Sequence, residues 1–347
     1  MKKILVLYRE LAGYIVNCFE YVAKHENIHV EIVAYPVAAE APFQFSFSKN
    51  ITVHRRSEIS DEQLAQMVTK GNYDLIFCGG WFDKGYLDAL KHKGKTPTVI
   101  GFDKQWKGSL KDRLATLYLK LKVTPFFDFA FVPGIEQVRF ARKMGFAENR
   151  IKTGIYVCDN IRFNEVHSYR KLNPSAIKNR VIYAGRYIPE KDIENLMQVA
   201  SEIANQRNDD WEFHFIGTGA LWDKRVQHPK IVHHGFLDGQ QLDEIMRRGA
   251  IFILPSLFEP WGVVVNEFAM AGYPLILSDQ VGARTALLKA NNGRVFAAGN
   301  KDQMKQALME LMDLPQAELM KLGEQSHLSA SKINEDGFKN AILEMMN

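Results

Sequence analysis

Short, unbroken apolar runs alternate with longer segments of helical periodicity from one end of this chain to the other. A run too short for a helix and without polar alternation suits a strand covered on both faces, and such strands belong to parallel sheets flanked by helices. The pattern therefore predicts an α/β chain. Strands are expected at residues 4–8, 30–35, 74–78, 98–101, 129–132 and 151–154 in the first half, with helices such as 14–24 and 135–144 between them. The second half predicts strands at 180–184, 212–216, 231–233, 250–254 and 274–277, and helices at 193–205, 240–248, 262–271 and 301–312. A chain of 347 residues holds two domains at about 150 residues each. The polar, turn-rich stretch 159–179 lacks the apolar periodicity of its flanks, so the boundary is expected there.

Composition narrows the function classes. The formal net charge is only +4, too small for a dedicated nucleic-acid binder. The charge is nonetheless uneven, with nine basic and two acidic side chains in residues 91–122. Cys18, Cys78 and Cys158 are odd in number and show no metal-ligand spacing, which favours a reducing compartment. The N-terminal apolar run is too short for a signal peptide, and no stretch approaches a membrane span. The expected location is cytoplasmic, with attachment to the cytoplasmic face of a membrane left open.

The common phosphate cradles fail. Gly217-Thr218-Gly219 begins a dinucleotide fingerprint, but Trp222 stands where the third glycine belongs. Residues 80–85 space two glycines as a P-loop does, yet Tyr86 follows in place of lysine. Zinc-protease and serine-hydrolase signatures are absent from the sequence.

What remains is the segment from Leu254 to Glu267, in which a buried strand runs through a Ser/Pro/Gly turn into an apolar helix. Gly262, Val263 and Val264 would present backbone N–H groups at the C-terminal end of a strand, where open sheets bind ligands. Glu259 and Glu267 are eight residues apart, about 12 Å of rise if both lay on one helix. That exceeds the spacing of paired glycosidase carboxyls. Two acids flanking a cluster of amide donors suit a ligand with hydroxyl-rich ends and an anionic middle. Gly185-Arg186, after the strand at 180–184, and Lys191, before the next helix, supply positive charge. Arginine grips phosphate bidentately, lysine adds a point charge, and both would stabilise the charge of a departing diphosphate.

Taken in order, Gly185-Arg186…Lys191, Gly217-Thr218-Gly219, Gly235-Phe236 and Pro255-Ser256…Glu259…Glu267 through Pro274 resemble the donor domain of GT-B glycosyltransferases of family 4 over about residues 180–300. The resemblance implies an α/β GT-B fold of two Rossmann-like, doubly wound parallel-sheet domains facing a deep cleft. It implies an acceptor domain at 1–165, a donor domain at 166–330, and a C-terminal helix at 331–347 that packs back on the first. It also implies a retaining, metal-independent transferase using a nucleotide diphosphate sugar as co-substrate, no cofactor, and a glycan or lipid-linked glycan as acceptor. Carried over by position, Glu259 would hold hydroxyls of the donor sugar and Glu267 the ribose. Arg186 and Lys191 would take the diphosphate and the backbone near Gly235 and Phe236 the base, with Gly185, Gly217, Ser256, Gly262, Val263 and Val264 also binding the donor. The glycine-rich turn after the first strand is reduced to Ala12-Gly13, with Gly13 as a donor contact. Asp103 stands where many members place a catalytic histidine, and Asp192 replaces a frequent glycine. A GT-B epimerase, or a silent module that binds nucleotide sugar, shares most of these residues.

Several of these residues also have plainer readings. Glu259 would serve as a helix cap, Glu267 as a solvated helix carboxylate, and Arg186 and Lys191 as surface charges. Trp81 and Trp261 read as core residues, and His214, His233 and His234 as structural. In residues 107–122, Leu110, Leu114, Leu117 and Leu121 share one helical face, with Lys107, Lys111, Arg113, Lys120 and Lys122 around it. Turned inward, that face makes an ordinary amphipathic helix. Turned outward, it approaches anionic lipid.

Overall fold

The computed structural model of the protein describes residues 1–36 and 45–347. They form two compact units, Met1–Val157 with Asn334–Asn347, and Cys158–Ile333. The first contains β1 (Lys3–Glu10), α1 (Gly13–His25), β2 (His29–Tyr35), β3 (Ile51–Arg55), α2 (Asp61–Lys70), β4 (Leu75–Gly79), α3 (Lys84–Ala89), β5 (Thr98–Gly101), α4 (Leu110–Lys122), β6 (Phe129–Val132), α5 (Ile135–Met144) and β7 (Ile151–Thr153). Its seven strands are parallel, in the order β3-β2-β1-β4-β5-β6-β7. Val6 of β1 pairs with Ile32 on one side and Phe77 on the other, all three wholly buried. That burial on both faces is why the strand reads as Ile-Leu-Val-Leu with no polar alternation.

The second unit contains α6 (Asn160–Leu172), β8 (Arg180–Ala184), α7 (Ile193–Gln206), β9 (Glu212–Ile216), β10 (Ile231–Gly235), α8 (Gly239–Met246), β11 (Ile251–Leu254), α9 (Val263–Met270), β12 (Leu275–Ser278), α10 (Arg284–Leu287), β13 (Gly293–Phe296), α11 (Lys301–Met312) and α12 (Gln316–Ala330). Its six parallel strands run β10-β9-β8-β11-β12-β13. In both sheets the chain winds outward from a central strand, then crosses to the other side. The reversals fall between β1 and β4 and between β8 and β11, and ligands bind open α/β sheets beyond the strand C-termini at such points.

Four differences from the sequence reading have physical causes. The edge strands β3 and β13 escaped it because neither carries an unbroken apolar run: Thr52 and His54 interrupt the one, and the other opens on Gly293 and Arg294. The stretch read as a linker holds α6, which begins where Asp159 caps the Arg162 N–H at 3.1 Å. Its inner face includes buried Asn160, His167 and Arg170 beside Phe163 and Val166. The Arg170 guanidinium donates to the carbonyls of Met246, Gly249 and Gly272 and lies 3.8 Å from the centre of the Tyr273 ring. Hydrogen bonds let polar groups occupy the core there, and apolar periodicity cannot see them. The unit boundary accordingly lies at Val157/Cys158, before α6, and not at 165/166. Finally, α4 does not bury the leucine stripe at 110, 114, 117 and 121. Thr116 and Leu119 are its buried residues, while Leu110, Leu114, Leu117 and Leu121 are exposed.

The last helix, α13 (Glu335–Met345), packs on α1 in the first unit. Phe338 is wholly buried, with its ring 5.4 Å from Phe19 and 5.3 Å from Phe131, and the Tyr21 hydroxyl donates to Asp336 at 2.9 Å. The three cysteines are buried and free of disulfides. In the second unit, Asp192 precedes α7 in the left-handed region at φ 53°. Its Oδ1 accepts from Asn195 Nδ2 at 2.7 Å, but Oδ2 is buried without a hydrogen-bond partner among the described residues.

Two stability outcomes follow from these contacts. Phe338→Ala is expected to cost about 3–5 kcal/mol in urea unfolding, because it opens a cavity against two aromatic rings. A loss under about 1 kcal/mol would show that α13 is not part of that core. Burial raises the Asp192 carboxyl above its ordinary value, so ionising it weakens the fold once the pH exceeds that value. Asp192→Asn is therefore expected to raise the melting temperature at pH 7, by about 1 kcal/mol of stability, and to converge with the wild type below about pH 4, where aspartate is protonated in both states. A constant difference at every pH would trace the effect to the backbone alone.

Candidate active site

Three strand ends build the site of the second unit, and their loops are laced together. After β8, the Gly185 N–H donates to Ile216 at 3.0 Å and the Tyr187 N–H to Thr218 at 2.9 Å, while the Tyr187 carbonyl accepts from Leu221 at 2.9 Å. A Cβ at Gly217, where φ is 122°, would lie 2.1 Å from the Gly185 carbonyl oxygen, and one at Gly219 would lie 2.7 Å from that of Tyr187. Close backbone packing thus already demands glycine at both places. The Gly235 carbonyl accepts from Gly217 at 2.7 Å, joining the end of β10 to the same lattice, and Phe236 beside it is exposed. Tyr187 is buried, its hydroxyl 2.9 Å from His233 Nδ1, so that histidine is structural. His214 and His234 likewise contact each other, at 2.8 Å.

Arg186 is exposed at the mouth of this lattice, and its carbonyl accepts from the Tyr183 hydroxyl at 2.9 Å. The short turn Pro189–Lys191 then crosses toward the loop after β11. There the Glu190 carbonyl accepts from Leu257 at 2.9 Å and from Phe258 at 3.4 Å. That crosspiece brings Lys191 Nζ into an ion pair with Glu259, both side chains largely buried. Glu259 is itself fixed through its backbone, donating to Gln280 at 3.2 Å and accepting from Gly282 at 3.0 Å. It stands before α9, so the helical rise used to space it from Glu267 does not apply.

The loop ends at Gly262, the N-cap of α9, with φ 94°; a Cβ there would lie 3.0 Å from Glu259 Cγ. Trp261 is buried and donates to Asn266 at 3.1 Å, pinning the helix start from inside. The first-turn N–H groups of Val263 and Val264 have no acceptor in the helix's own ladder, and the helix dipole makes that end attractive to anions. Ser256 is wholly buried; its carbonyl accepts from Ser278 at 2.5 Å, while its hydroxyl has no hydrogen-bond partner among the described residues. Arg186, Lys191, Glu259 and the start of α9 therefore share the β8/β11 reversal.

Glu267 sits one turn further along α9, toward Arg162, whose Nε donates to Asp243 at 2.9 Å. Burial pushes the Glu267 carboxyl up to about 7, with Arg162 opposing the shift and Asp243 and Asp159 adding to it. Arg162, Asp159 and Asp243 were not singled out from the sequence. Their link to Glu267 joins α6 to α8 and α9, a relation that spacing does not encode.

In the first unit, Gly13 opens α1, and a Cβ built there meets nothing within 4 Å. Asp103 follows β5, its carbonyl accepting from buried Gln137 at 2.9 Å. The Asp103 charge acts on Tyr8, Tyr14 and Tyr156, three mutually interacting phenols held above the ordinary tyrosine range, first by burial. The Tyr14 and Tyr156 rings meet edge to face at 5.0 Å. Trp81 packs on Phe82, Phe102 and Phe140, as a core tryptophan should. Neighbouring Phe82 is exposed and lines a cavity of about 630 Å³ with Arg9, Glu10, Tyr35, Pro36 and Asp83. The tyrosine cluster and the cavity were missed because each gathers residues from strand ends distant in sequence.

Comparisons with known proteins bear on the fold and on the second unit. Residues 168–328 match the family Glycosyl transferases group 1. An uncharacterized glycosyltransferase of Methanocaldococcus jannaschii is 24% identical over 331 residues, covering 89% of this chain and 87% of that protein. The alpha-D-kanosaminyltransferase of Streptomyces kanamyceticus is 26% identical over 143 residues, 39% of this chain and 37% of its own length. Another M. jannaschii relative is likewise matched over only 39% of its length. Among solved structures, the sucrose-phosphate synthase of Thermosynechococcus elongatus superposes with a TM-score of 0.75 at 16% identity, covering 99% of this chain and 98% of that one. HepE of Anabaena, solved with UDP and glucose, gives 0.70 at 14%, covering 99% of both. These matches give the chain a GT-B fold of two parallel-sheet, Rossmann-like units, whose residues 168–328 are similar to the glycosyl transferases group 1 family.

Proposed function

We propose that this protein is a retaining glycosyltransferase of family 4 type, moving a sugar from a nucleotide diphosphate sugar to a hydroxyl of a glycan or lipid-linked glycan. One observation carries the reading: Arg186, Lys191, Glu259 and the open amides of α9 meet at the β8/β11 reversal. As the bond between the anomeric carbon and the phosphate oxygen breaks, its electrons pass to the diphosphate. The acceptor oxygen bonds the sugar on the same face and gives its proton to the departing phosphate oxygen. Cationic side chains and amide N–H groups aimed at the leaving diphosphate lower that barrier without a metal ion or other cofactor. Lys191 is shared between Glu259 and the ligand, so Arg186 and the helix start supply the unshared positive potential. Glu259, held beside that site, accepts from sugar hydroxyls, and Glu267 accepts from the ribose. Gly185, Gly217 and Gly235 hold the loops that Phe236 borders, where the base sits. The UDP in the HepE structure supports a uridine nucleotide as the first donor to test. On the first unit, the cavity beside Phe82 offers an aromatic face and charged rims of the kind that hold a glycan, with Gly13 following β1 and Asp103 following β5 in the same sheet.

Nucleotide release should be assayed with UDP-, GDP-, ADP- and TDP-sugars, with and without glycan acceptors, and the anomeric configuration of the product read by NMR. With the best pair, Arg186→Ala is expected to lower kcat/KM about 10²- to 10³-fold with an unchanged melting temperature, since the side chain is exposed. Full activity at limiting donor would exclude the phosphate role. Glu259→Gln is expected to cut turnover and also lower the melting temperature, because it leaves buried Lys191 without its countercharge.

Ribose binding at Glu267 has its own signature. The carboxyl is pushed up to about 7, so the form that accepts two hydroxyl hydrogen bonds appears only as the pH passes that value. The ratio of wild-type to Glu267→Gln affinity for the nucleoside diphosphate should therefore grow between pH 6 and pH 8 in calorimetric titrations. A ratio independent of pH would remove Glu267 from the ribose.

A further inference from the structure

The outer face of α4 assembles what a bilayer surface requires. Leu110, Leu114, Leu117, Tyr118 and Leu121 are between 54% and 73% exposed. At 3.6 residues per turn these five fall on one stripe, opposite the face that Thr116 and Leu119 bury against the unit. The same geometry sets Arg113 and Lys120 along one flank of the stripe and Lys111 and Lys122 along the other, all four exposed. The one acid of the helix, Asp112, lies away from the stripe; its backbone N–H is capped by Ser109 at 3.1 Å and its carboxylate is 3.9 Å from Lys104. A soluble helix places its apolar stripe inward, and α4 does the reverse. No helix among the described residues is long and apolar enough to cross a membrane.

We infer that α4 lies in the plane of an anionic lipid bilayer, its leucines at the boundary of headgroups and acyl chains and its four flanking cations among the headgroup phosphates. Charge complementarity selects that occupant. A second copy docked through the same face would set the same four cations against four more, and a neutral bilayer would offer them no opposing charge. A helix that enters a bilayer sideways needs both terms, apolar area and cations, and α4 carries the two on adjoining strips. The inference stands on α4 alone and is independent of the transferase reading; where both hold, the acceptor is met at a lipid surface.

The test is flotation of the full chain with phosphatidylcholine vesicles, with and without 30% phosphatidylglycerol, alongside light scattering in solution. The wild type is expected to float with the anionic vesicles and to stay behind with the neutral ones. Lys111→Gln is expected to weaken partition about fivefold, from about 1 kcal/mol per basic group at an anionic surface. Leu114→Ser/Leu117→Ser should abolish flotation, with circular dichroism and melting unchanged because both side chains are already exposed. Equal flotation on the two vesicle types, or none, would overturn the inference. So would unaltered flotation of the serine variant, or a wild-type dimer that this variant converts to monomer.

Discussion

The crosspiece between the loops after β8 and β11 governs how the second unit presents its chemistry. One carbonyl, that of Glu190, accepts from both Leu257 and Phe258, and the ion pair of Lys191 with Glu259 sits directly behind it. Strand geometry alone would leave the two loops as separate surface turns with charges free to move. Joined, they hold a cation and a carboxylate in a largely buried place, next to the start of α9. Removing one member of a buried pair typically costs about 3–5 kcal/mol, because the other is left uncompensated. The pair thus ties the stability of the loops to the presence of the groups that the proposed reaction uses.

The two sheets reverse direction in the same way but dress their reversals differently. In the second unit the β8/β11 ends carry arginine, lysine and backbone amides, suited to phosphate. In the first, the strand ends carry buried phenols around Asp103 and an exposed aromatic beside charged groups, suited to hydroxyl-rich ligands. The winding fixes where ligands can sit, and the residues at each reversal fix which chemistry can occur there.

Legibility in the sequence followed burial. The central strands, covered on both faces, read directly as apolar runs: residues 98–101, 129–132, 180–184 and 212–216 match β5, β6, β8 and β9 in extent. The edge strands β3 and β13, whose apolar runs are broken by Thr52 and His54 and by Gly293 and Arg294, did not. Helix α6 was hidden because Asn160, His167 and Arg170 occupy positions that periodicity reserves for apolar residues. The leucines of α4 defined a stripe, but a stripe has no sign, and only the packing of Thr116 and Leu119 shows that it faces solvent. The motif residues of the second unit were legible as types at strand ends. Their pairing was not, since the Lys191–Glu259 contact and the Arg162–Glu267 proximity depend on how separate loops and helices meet.

The proposed chemistry depends on one diphosphate being gripped at the β8/β11 reversal by Arg186, Lys191 and the first amides of α9. A crystal structure of the chain with UDP tests it most directly. Such a grip requires phosphate oxygens within hydrogen-bond distance of the Arg186 guanidinium and of the Val263 and Val264 N–H groups, with Lys191 turned partly from Glu259 toward them. A diphosphate seated elsewhere on the second unit, with the Lys191–Glu259 pair intact and Arg186 in solvent, would contradict it.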